Sequence, residues 1–202
     1  MSPELICVCG CNGVGKSTFI NSVYLLDNNY KNYTYINPDE IASKGNITNI
    51  EAGKIAIKLL NNSLNNHYNI IKESTLVSNL DFKIIEQAKN FGYIVHMDYI
   101  GVSSSSISIE RVHARVATGG HSIDDDVVAK RYIKSIKNIE NALTLIDSAV
   151  LYDNSGHAYC CFATVEQGFL YTCASVPVWA QNAVSALEQR FGAEERNAPG
   201  FF

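Results

Sequence analysis

Residues 10–17, Gly10-Cys11-Asn12-Gly13-Val14-Gly15-Lys16-Ser17, decide the fold of this chain. They match the pattern G-x-x-x-x-G-K-[ST] at every specified position. Glycines in this pattern let successive backbone N–H groups turn toward phosphate oxygens at the N-terminus of a helix. The apolar run 4–9 before the motif predicts a buried strand, and a helix is expected at about 17–26 after it. The segment therefore predicts a P-loop that binds nucleotide phosphates.

The residue types of the motif predict how the nucleotide is held. Lys16 is expected to reach the β- and γ-phosphates, and the Ser17 hydroxyl is expected to ligate Mg²⁺. Thr18 is expected next to the α-phosphate. The predicted nucleotide-binding residues are Gly10, Asn12, Gly13, Val14, Gly15, Lys16, Ser17 and Thr18. The expected cofactors are therefore ATP and Mg²⁺.

Strands and helices are expected to alternate along the rest of the chain. Strands are predicted at 33–36, 68–72, 93–102 and 149–152, and helices at 49–66, 81–91, 105–117 and 124–146. This alternation predicts an α/β fold with a mostly parallel sheet covered by helices on both faces. The segment 105–135, which contains Gly119-Gly120, is expected to form a helical lid.

Composition excludes several classes of protein. The net charge of −4 and the pI of about 5.7 argue against a general nucleic-acid binder. No apolar run approaches the roughly 18 residues that a membrane-spanning helix needs, and the N-terminus lacks the basic lead of a secretory signal. The six cysteines show no C-x-x-C spacing typical of zinc sites. We therefore expect free thiols in a reducing cytoplasm, with no membrane or nucleic-acid partner.

Two acidic residues at strand ends favour a kinase over other P-loop classes. The sequence contains no LSGGQ-like segment of an ABC ATPase and no Asn-Lys-x-Asp guanine motif of a GTPase. Because ligands of open α/β sheets bind beyond the carboxyl ends of the strands, Asp39 is expected to take the proton from an attacking hydroxyl. Glu73 is expected to orient the substrate or to hold Mg²⁺ through water. Alternatively, Asp39 caps a helix and Glu73 is a capping or turn carboxylate.

Arginines outside the C-terminal segment occur only in the predicted lid, at Arg111, Arg115 and Arg131. A rigid guanidinium suits phosphate, and a charged lid stabilises the oxygens of a transferring phosphoryl group. The alternative is a solvated basic helix face. The three arginines are therefore candidates for stabilising the transferred phosphoryl group.

The order and spacing of the motifs resemble the zeta toxin family of P-loop kinases. The matching segments are GCNGVGKST (10–18), INPDEIA (36–42), KESTL (72–76), ERVHARVATGGHSI (110–123), Arg131-Tyr132 and YDNSG (152–156). The resemblance implies a P-loop NTPase three-layer sandwich of kinase type, with a five-stranded sheet of order 2-3-1-4-5 and ATP or GTP as donor. It also implies a UDP-linked amino sugar as acceptor and a separate helical antitoxin that blocks the nucleotide site. Together, the motifs and this resemblance predict the catalytic residues Lys16, Asp39, Arg115 and Arg131, and the substrate-binding residues Asn37, Glu73, Thr75, Arg111 and His121.

The sequence thus predicts an ATP-dependent kinase that phosphorylates a hydroxyl of a small molecule, with UDP-N-acetylglucosamine as a candidate. The region 40–50, where substrate contacts are expected, departs from the family by being short and Asn-rich. Two alternatives stay open. One is a nucleotide-dependent switch that hydrolyses ATP slowly and acts through a partner, and the other is a non-toxic metabolic kinase of the same fold.

The composition changes sharply near residue 151. Residues 1–150 contain 21 Ile and 11 Lys, whereas residues 151–202 contain neither. We therefore divide the chain into a kinase core, 1–156, and a C-terminal extension, 157–202, packed on the same domain. Strands at 159–164 and 169–173 and a helix at 178–191 are expected in the extension. A segment of different origin, a fusion, or a simple hairpin-plus-helix ending would each account for the change.

Overall fold

The structure is a computed structural model that describes residues 2–120, 122–191 and 193–194. Strands and helices alternate along the chain. The elements are β1 (Glu4–Cys9), α1 (Lys16–Phe19), β2 (Thr34–Ile36), α2 (Pro38–Gly45), α3 (Asn49–Asn65), β3 (Ile70–Ser74), α4 (Asn79–Asn90), β4 (Ile94–Gly101), α5 (Ser105–Ala117), α6 (Asp125–Lys137), α7 (Ile139–Leu143), β5 (Ser148–Asp153), β6 (Cys160–Glu166), β7 (Phe169–Thr172), α8 (Gln181–Phe191) and β8 (Ala193–Glu194). A π-helical segment, Ile20–Leu25, continues α1, and 3-10 turns lie at Asn28–Tyr30 and Val178–Ala180.

The strands form one sheet of order β2-β3-β1-β4-β5-β6-β7-β8. β1 to β5 are parallel and have the predicted order 2-3-1-4-5, so the predicted fold class is confirmed. The sheet has more than the five predicted strands. Within the described residues, β6 pairs with β5 in the antiparallel direction, and β7 and β8 extend the sheet beyond β6. The carboxyl ends of the parallel strands all lie at one edge, where the P-loop follows β1.

Side chains of β1 alternate between two cores, one on each face of the sheet. Leu5 and Cys7 belong to the core that also contains Leu60 of α3 and Ile84 of α4. Ile6 belongs to the other core, which includes the π-helical segment, α5 and α6. The chain is therefore layered as helices, sheet and helices.

All six cysteines are free thiols, and burial raises the pKa of Cys7 to about 11.

Two helices differ from the prediction. The single helix expected at 124–146 is divided at Asn138, whose side-chain Nδ2 donates to the Leu76 carbonyl at 2.9 Å. Helix α2 was not among the predicted helices, although a helix capped by Asp39 was the alternative considered for that residue. It begins after Asn37, whose Oδ1 accepts from the amides of Asp39 (3.0 Å) and Glu40 (3.4 Å), and it has Pro38 in its first turn. A polar cap and an N-terminal proline are sufficient to start this short helix.

The described residues after position 156 join the same sheet and core. β6 and β7 form the expected antiparallel pair, and α8 buries Ala183, Val184 and Leu187 in the core shared with α3 and α4. The division of the chain at residue 156 stays a prediction. Across the described ranges, no helix is long and apolar enough to cross a membrane.

Candidate functional site

The P-loop backbone adopts conformations that favour glycine. Gly13 has φ of 77° and Gly15 has φ of 101°, both in the left-handed region. A Cβ at Gly13 would lie 2.3 Å from the Ser108 carbonyl oxygen, and one at Gly15 would lie 2.7 Å from Nδ2 of Asn154. The loop therefore packs too closely against its neighbours to carry side chains at these positions.

Two side chains from the segment between β5 and β6 donate hydrogen bonds to the P-loop. Asn154 Nδ2 donates to the Val14 carbonyl and the Tyr159 hydroxyl donates to the Gly15 carbonyl, both at 2.8 Å. Because a trans peptide places its N–H opposite its C=O, the amides of Gly15 and Lys16 are directed away from these two side chains. This arrangement fits an anion at the helix N-terminus. The YDNSG motif includes Asn154, but no local sequence signal identifies Tyr159.

Lys16 and Ser17 meet Glu73 at the edge of the sheet. The Lys16 side chain is only 5% exposed. Its ammonium group donates to the Cys11 carbonyl at 2.9 Å and lies 3.6 Å from Glu73 Oε1. The Ser17 hydroxyl donates to Glu73 Oε2 at 3.0 Å. Hydroxyl and carboxylate oxygens are the ligands that Mg²⁺ prefers. Ser17 and Glu73 therefore fit a Mg²⁺ ion bound together with nucleotide phosphates.

The Glu73 carboxylate also accepts hydrogen bonds from β2 and the residue after it. Asn37 Nδ2 donates to Glu73 Oε2 at 2.9 Å, and the Tyr35 hydroxyl donates to the same oxygen at 3.4 Å. Burial, with a further contribution from the nearby Glu73 charge, raises the pKa of Tyr35, so its hydroxyl keeps its proton. Glu73 is thus contacted by four side chains, two from α1, one from β2 and one from the residue that caps α2. The sequence prediction did not include Tyr35, although its place beside the INPDEIA motif offered a signal.

Asp39 lies in the first turn of α2 with an exposed side chain. The residue that caps this helix is Asn37, so the N-cap role considered as the alternative for Asp39 belongs to its neighbour. Glu73 lies within strand β3, where it contacts Lys16 and Ser17. The catalytic and substrate roles of these residues stay predictions.

A cavity of about 330 Å³, here called the sheet-edge cavity, brings together six of the nine predicted catalytic and substrate-binding residues. It lies between the P-loop, the start of α2 and the facing sides of α3 and α4. Its lining residues are Asn12, Lys16, Ile36, Asn37, Pro38, Asp39, Gly53, Ala56, Ile57, Leu60, Lys72, Glu73, Ser74, Thr75, Val77, Ser78, Leu80, Asp81, Ile84 and Arg131. The predicted catalytic residues Lys16, Asp39 and Arg131 therefore face a single cavity.

The three lid arginines lie in different environments. Arg131 donates to Asn12 Oδ1 at 2.9 Å and lines the sheet-edge cavity. Arg111 donates to the Gly156 carbonyl at 3.3 Å and is not among the lining residues. Arg115 is exposed on α5, also apart from the cavity lining. The remaining predicted residue, His121, lies outside the described residues.

Comparisons with known proteins identify the family and agree with the fold. Residues 1–160 match the family model described as zeta toxin. An uncharacterised protein of Haemophilus influenzae is 36% identical over 137 residues, which are 65% of this chain and 94% of that protein. A structure from the PezAT chromosomal toxin–antitoxin system of Streptococcus pneumoniae has a TM-score of 0.61 at 17% identity and covers 97% of this chain and 81% of that chain. The AvrRxo1-ORF1:AvrRxo1-ORF2 complex with ATP has a TM-score of 0.69 at 16% identity, covering 99% and 66%.

Proposed function

Because the chain belongs to the zeta toxin family, we propose that it is a kinase that transfers the γ-phosphoryl group of ATP to a hydroxyl of a small molecule. One observation carries this proposal. The P-loop residue Lys16, the exposed carboxylate of Asp39 and the lid residue Arg131 line the same cavity. A phosphate donor and an alcohol acceptor held there would meet between a base and two cations.

Each side chain has a defined part in the proposed reaction. Asp39 takes the proton of the acceptor hydroxyl while that oxygen bonds to the γ-phosphorus and the bond to the β-phosphate oxygen breaks, releasing ADP. Lys16 and Arg131 stabilise the negative charge on the transferring group. Glu73 holds Lys16 and Ser17 in position through the contacts at 3.6 and 3.0 Å. Ser17, and Glu73 directly or through water, would hold Mg²⁺, which would supply charge neutralisation at the phosphates.

The family supports UDP-N-acetylglucosamine as the candidate acceptor and a separate antitoxin as the candidate partner. PezAT is a toxin–antitoxin system, and the AvrRxo1 structure is a two-protein complex with ATP. Of the residues predicted to contact the acceptor, Asn37, Glu73 and Thr75 line the sheet-edge cavity. Arg111 donates to the Gly156 carbonyl and does not line this cavity, so the proposal assigns it no contact with the acceptor.

Mass spectrometry of products tests the proposal. The protein is incubated with Mg·ATP and a metabolite panel that includes UDP-sugars, and we expect one compound to gain one phosphate. Lys16→Ala should abolish the product and Asp39→Asn should lower its rate by about a hundredfold, while Glu40→Gln, next to Asp39 on α2, should behave as wild type. Loss of ATP without any phosphorylated compound would favour the slowly hydrolysing switch. An unchanged rate in Asp39→Asn would refute the assignment of the base and leave the kinase intact.

A further inference from the structure

Arg131 reaches the sheet-edge cavity with an unpaired positive charge. Its guanidinium donates to Asn12 Oδ1 at 2.9 Å, and within the described residues no carboxylate forms an ion pair with it. Lys16, by contrast, lies 3.6 Å from the carboxylate of Glu73. A guanidinium carries five N–H groups in a planar fork. With one of them on Asn12, the others are available to the oxygens of a phosphoryl group.

The helix that carries Arg131 is anchored at the end of the sheet. The Tyr132 hydroxyl donates to the Val102 carbonyl at 3.0 Å, and the Tyr99 hydroxyl lies 2.9 Å from Ser135 Oγ. These contacts fix the backbone of α6 relative to β4. They leave the long arginine side chain free to change rotamer, and such side chains lose much entropy when they are held in one conformation. The position of the guanidinium therefore depends on its own hydrogen bond to Asn12.

Asn12 is a well-defined acceptor for this hydrogen bond. It is 7% exposed and lies in the P-loop, whose Cys11 thiol also donates to the Val128 carbonyl of α6 at 3.5 Å. Because a guanidinium has donors only, the Asn12 amide has to present its oxygen to Arg131. A hydrogen bond from a charged donor is stronger than one between neutral groups. Asn12 therefore holds Arg131 beside the P-loop in the protein without nucleotide.

We propose that Asn12 is a positioning residue that keeps Arg131 where the transferring phosphoryl group develops its charge. This inference rests on the proposed function, which places that group between Lys16 and Arg131. Without the Asn12 amide, Arg131 would occupy several rotamers and the rate of transfer would fall, while the P-loop amides would still bind the nucleotide. Two other roles are the alternatives. Asn12 contacts the nucleotide directly, as the P-loop motif predicts, or it only joins the P-loop to α6.

A double-mutant cycle separates these roles. Wild type, Asn12→Ala, Arg131→Ala and the double variant are compared by the rate of ADP formation from Mg·ATP in the presence of the metabolite panel. Asn12→Ala should lower kcat by about tenfold to a hundredfold and leave the KM for ATP and the Kd for Mg·ADP within about twofold of wild type. Arg131→Ala should lower kcat by about a thousandfold. The double variant should be no slower than Arg131→Ala, because Asn12 acts through Arg131.

Melting temperature and Mg·ADP binding report whether each variant is folded. Asn141→Ala, at an exposed position of α7, is the matched control for loss of an asparagine and should behave as wild type. A weaker affinity of Asn12→Ala for Mg·ADP at unchanged kcat would assign Asn12 to the nucleotide and overturn the inference. A lower melting temperature at unchanged kcat would leave Asn12 with the structural role alone. Losses that multiply in the double variant would show that Asn12 does not act through Arg131.

The same reactions distinguish failure of this inference from failure of the proposed function. ADP forms both in transfer to an acceptor and in slow hydrolysis, and mass spectrometry shows whether a compound has gained a phosphate. Coupling between Asn12 and Arg131 without any phosphorylated compound would refute the kinase and leave the positioning role. A phosphorylated compound without the coupling would refute the positioning role and leave the kinase.

Discussion

Tyr159 offers a direct test of how the P-loop is held, through the variant Tyr159→Phe. The change removes the hydroxyl that donates to the Gly15 carbonyl at 2.8 Å and keeps the ring, which packs against Phe19 with centroids 5.2 Å apart. The carbonyl keeps its hydrogen bond from the Phe19 amide at 2.9 Å, so it is not left unsatisfied. The expected loss is therefore that of one neutral hydrogen bond, about 0.5–1.5 kcal/mol.

This free energy sets the measurable effect. If this free energy serves entirely to hold the P-loop in its nucleotide-binding conformation, its loss raises the Kd for Mg·ATP by about twofold to tenfold. The melting temperature should fall by about 1–6 °C, since 1 kcal/mol corresponds to roughly 2–4 °C for a chain of this size. Isothermal titration calorimetry measures the Kd, and scanning calorimetry measures the melting temperature. Tyr68→Phe, which removes a hydroxyl from a half-exposed tyrosine, is the control. Unchanged affinity and unchanged melting temperature would refute the reasoning, and a loss above a hundredfold would mean that Tyr159 contacts the nucleotide itself.

Three further variants or labelling experiments test separate features. Gly13→Ala should lower stability by about 1–3 kcal/mol in urea unfolding, because of its φ of 77° and the contact with Ser108; a neutral effect would contradict the loop geometry. Burial alone would raise the pKa of Asp81, but Lys72 and hydrogen bonds from Ser74 and Ser78 outweigh it and hold the folded pKa below its ordinary value of 3.8. The stabilisation by Asp81 is therefore present above about pH 4 and is lost as the pH falls through the folded pKa. Asp81→Asn should therefore be less stable than wild type at neutral pH, by a difference that shrinks as the pH falls through the folded pKa of Asp81, and a constant difference would contradict this assignment. A thiol reagent at mildly alkaline pH should label the exposed Cys160 in the folded protein. Cys7 is buried and has a pKa of about 11, so it should be labelled only after unfolding. Labelling of Cys7 in the folded protein would contradict the burial of β1.

The part of the fold that local sequence encodes was predictable. The P-loop motif predicted that a helix follows β1 directly, and the alternation of strands and helices predicted a mostly parallel sheet. The order of the parallel strands came from the resemblance to the zeta toxin family. Helix α2 was missed because its signal is a cap, Asn37, rather than an apolar period. The break at Asn138 was missed because it coincides with a hydrogen bond to Leu76, 62 positions away.

The candidate site shows the same limit more strongly. Lys16, Ser17, Asp39 and Glu73 were named from the sequence because each lies in a motif or at a strand end. Tyr159 contacts Gly15 across 144 positions of the chain, and no periodicity or motif encodes that contact. Lys72 was not singled out either, since a lysine at the end of a strand has no distinctive pattern until α4 brings Asp81 to it.

Isotope tracing of the γ-phosphoryl group tests the central claim most directly. ATP labelled with ¹⁸O on its γ-phosphate is incubated with wild-type protein, Mg²⁺ and a metabolite extract. The proposed kinase should place the label in one organic phosphate ester at the rate at which ADP forms. Lys16→Ala should form neither the labelled ester nor ADP. Recovery of the label only as inorganic phosphate would contradict phosphoryl transfer to a small-molecule hydroxyl.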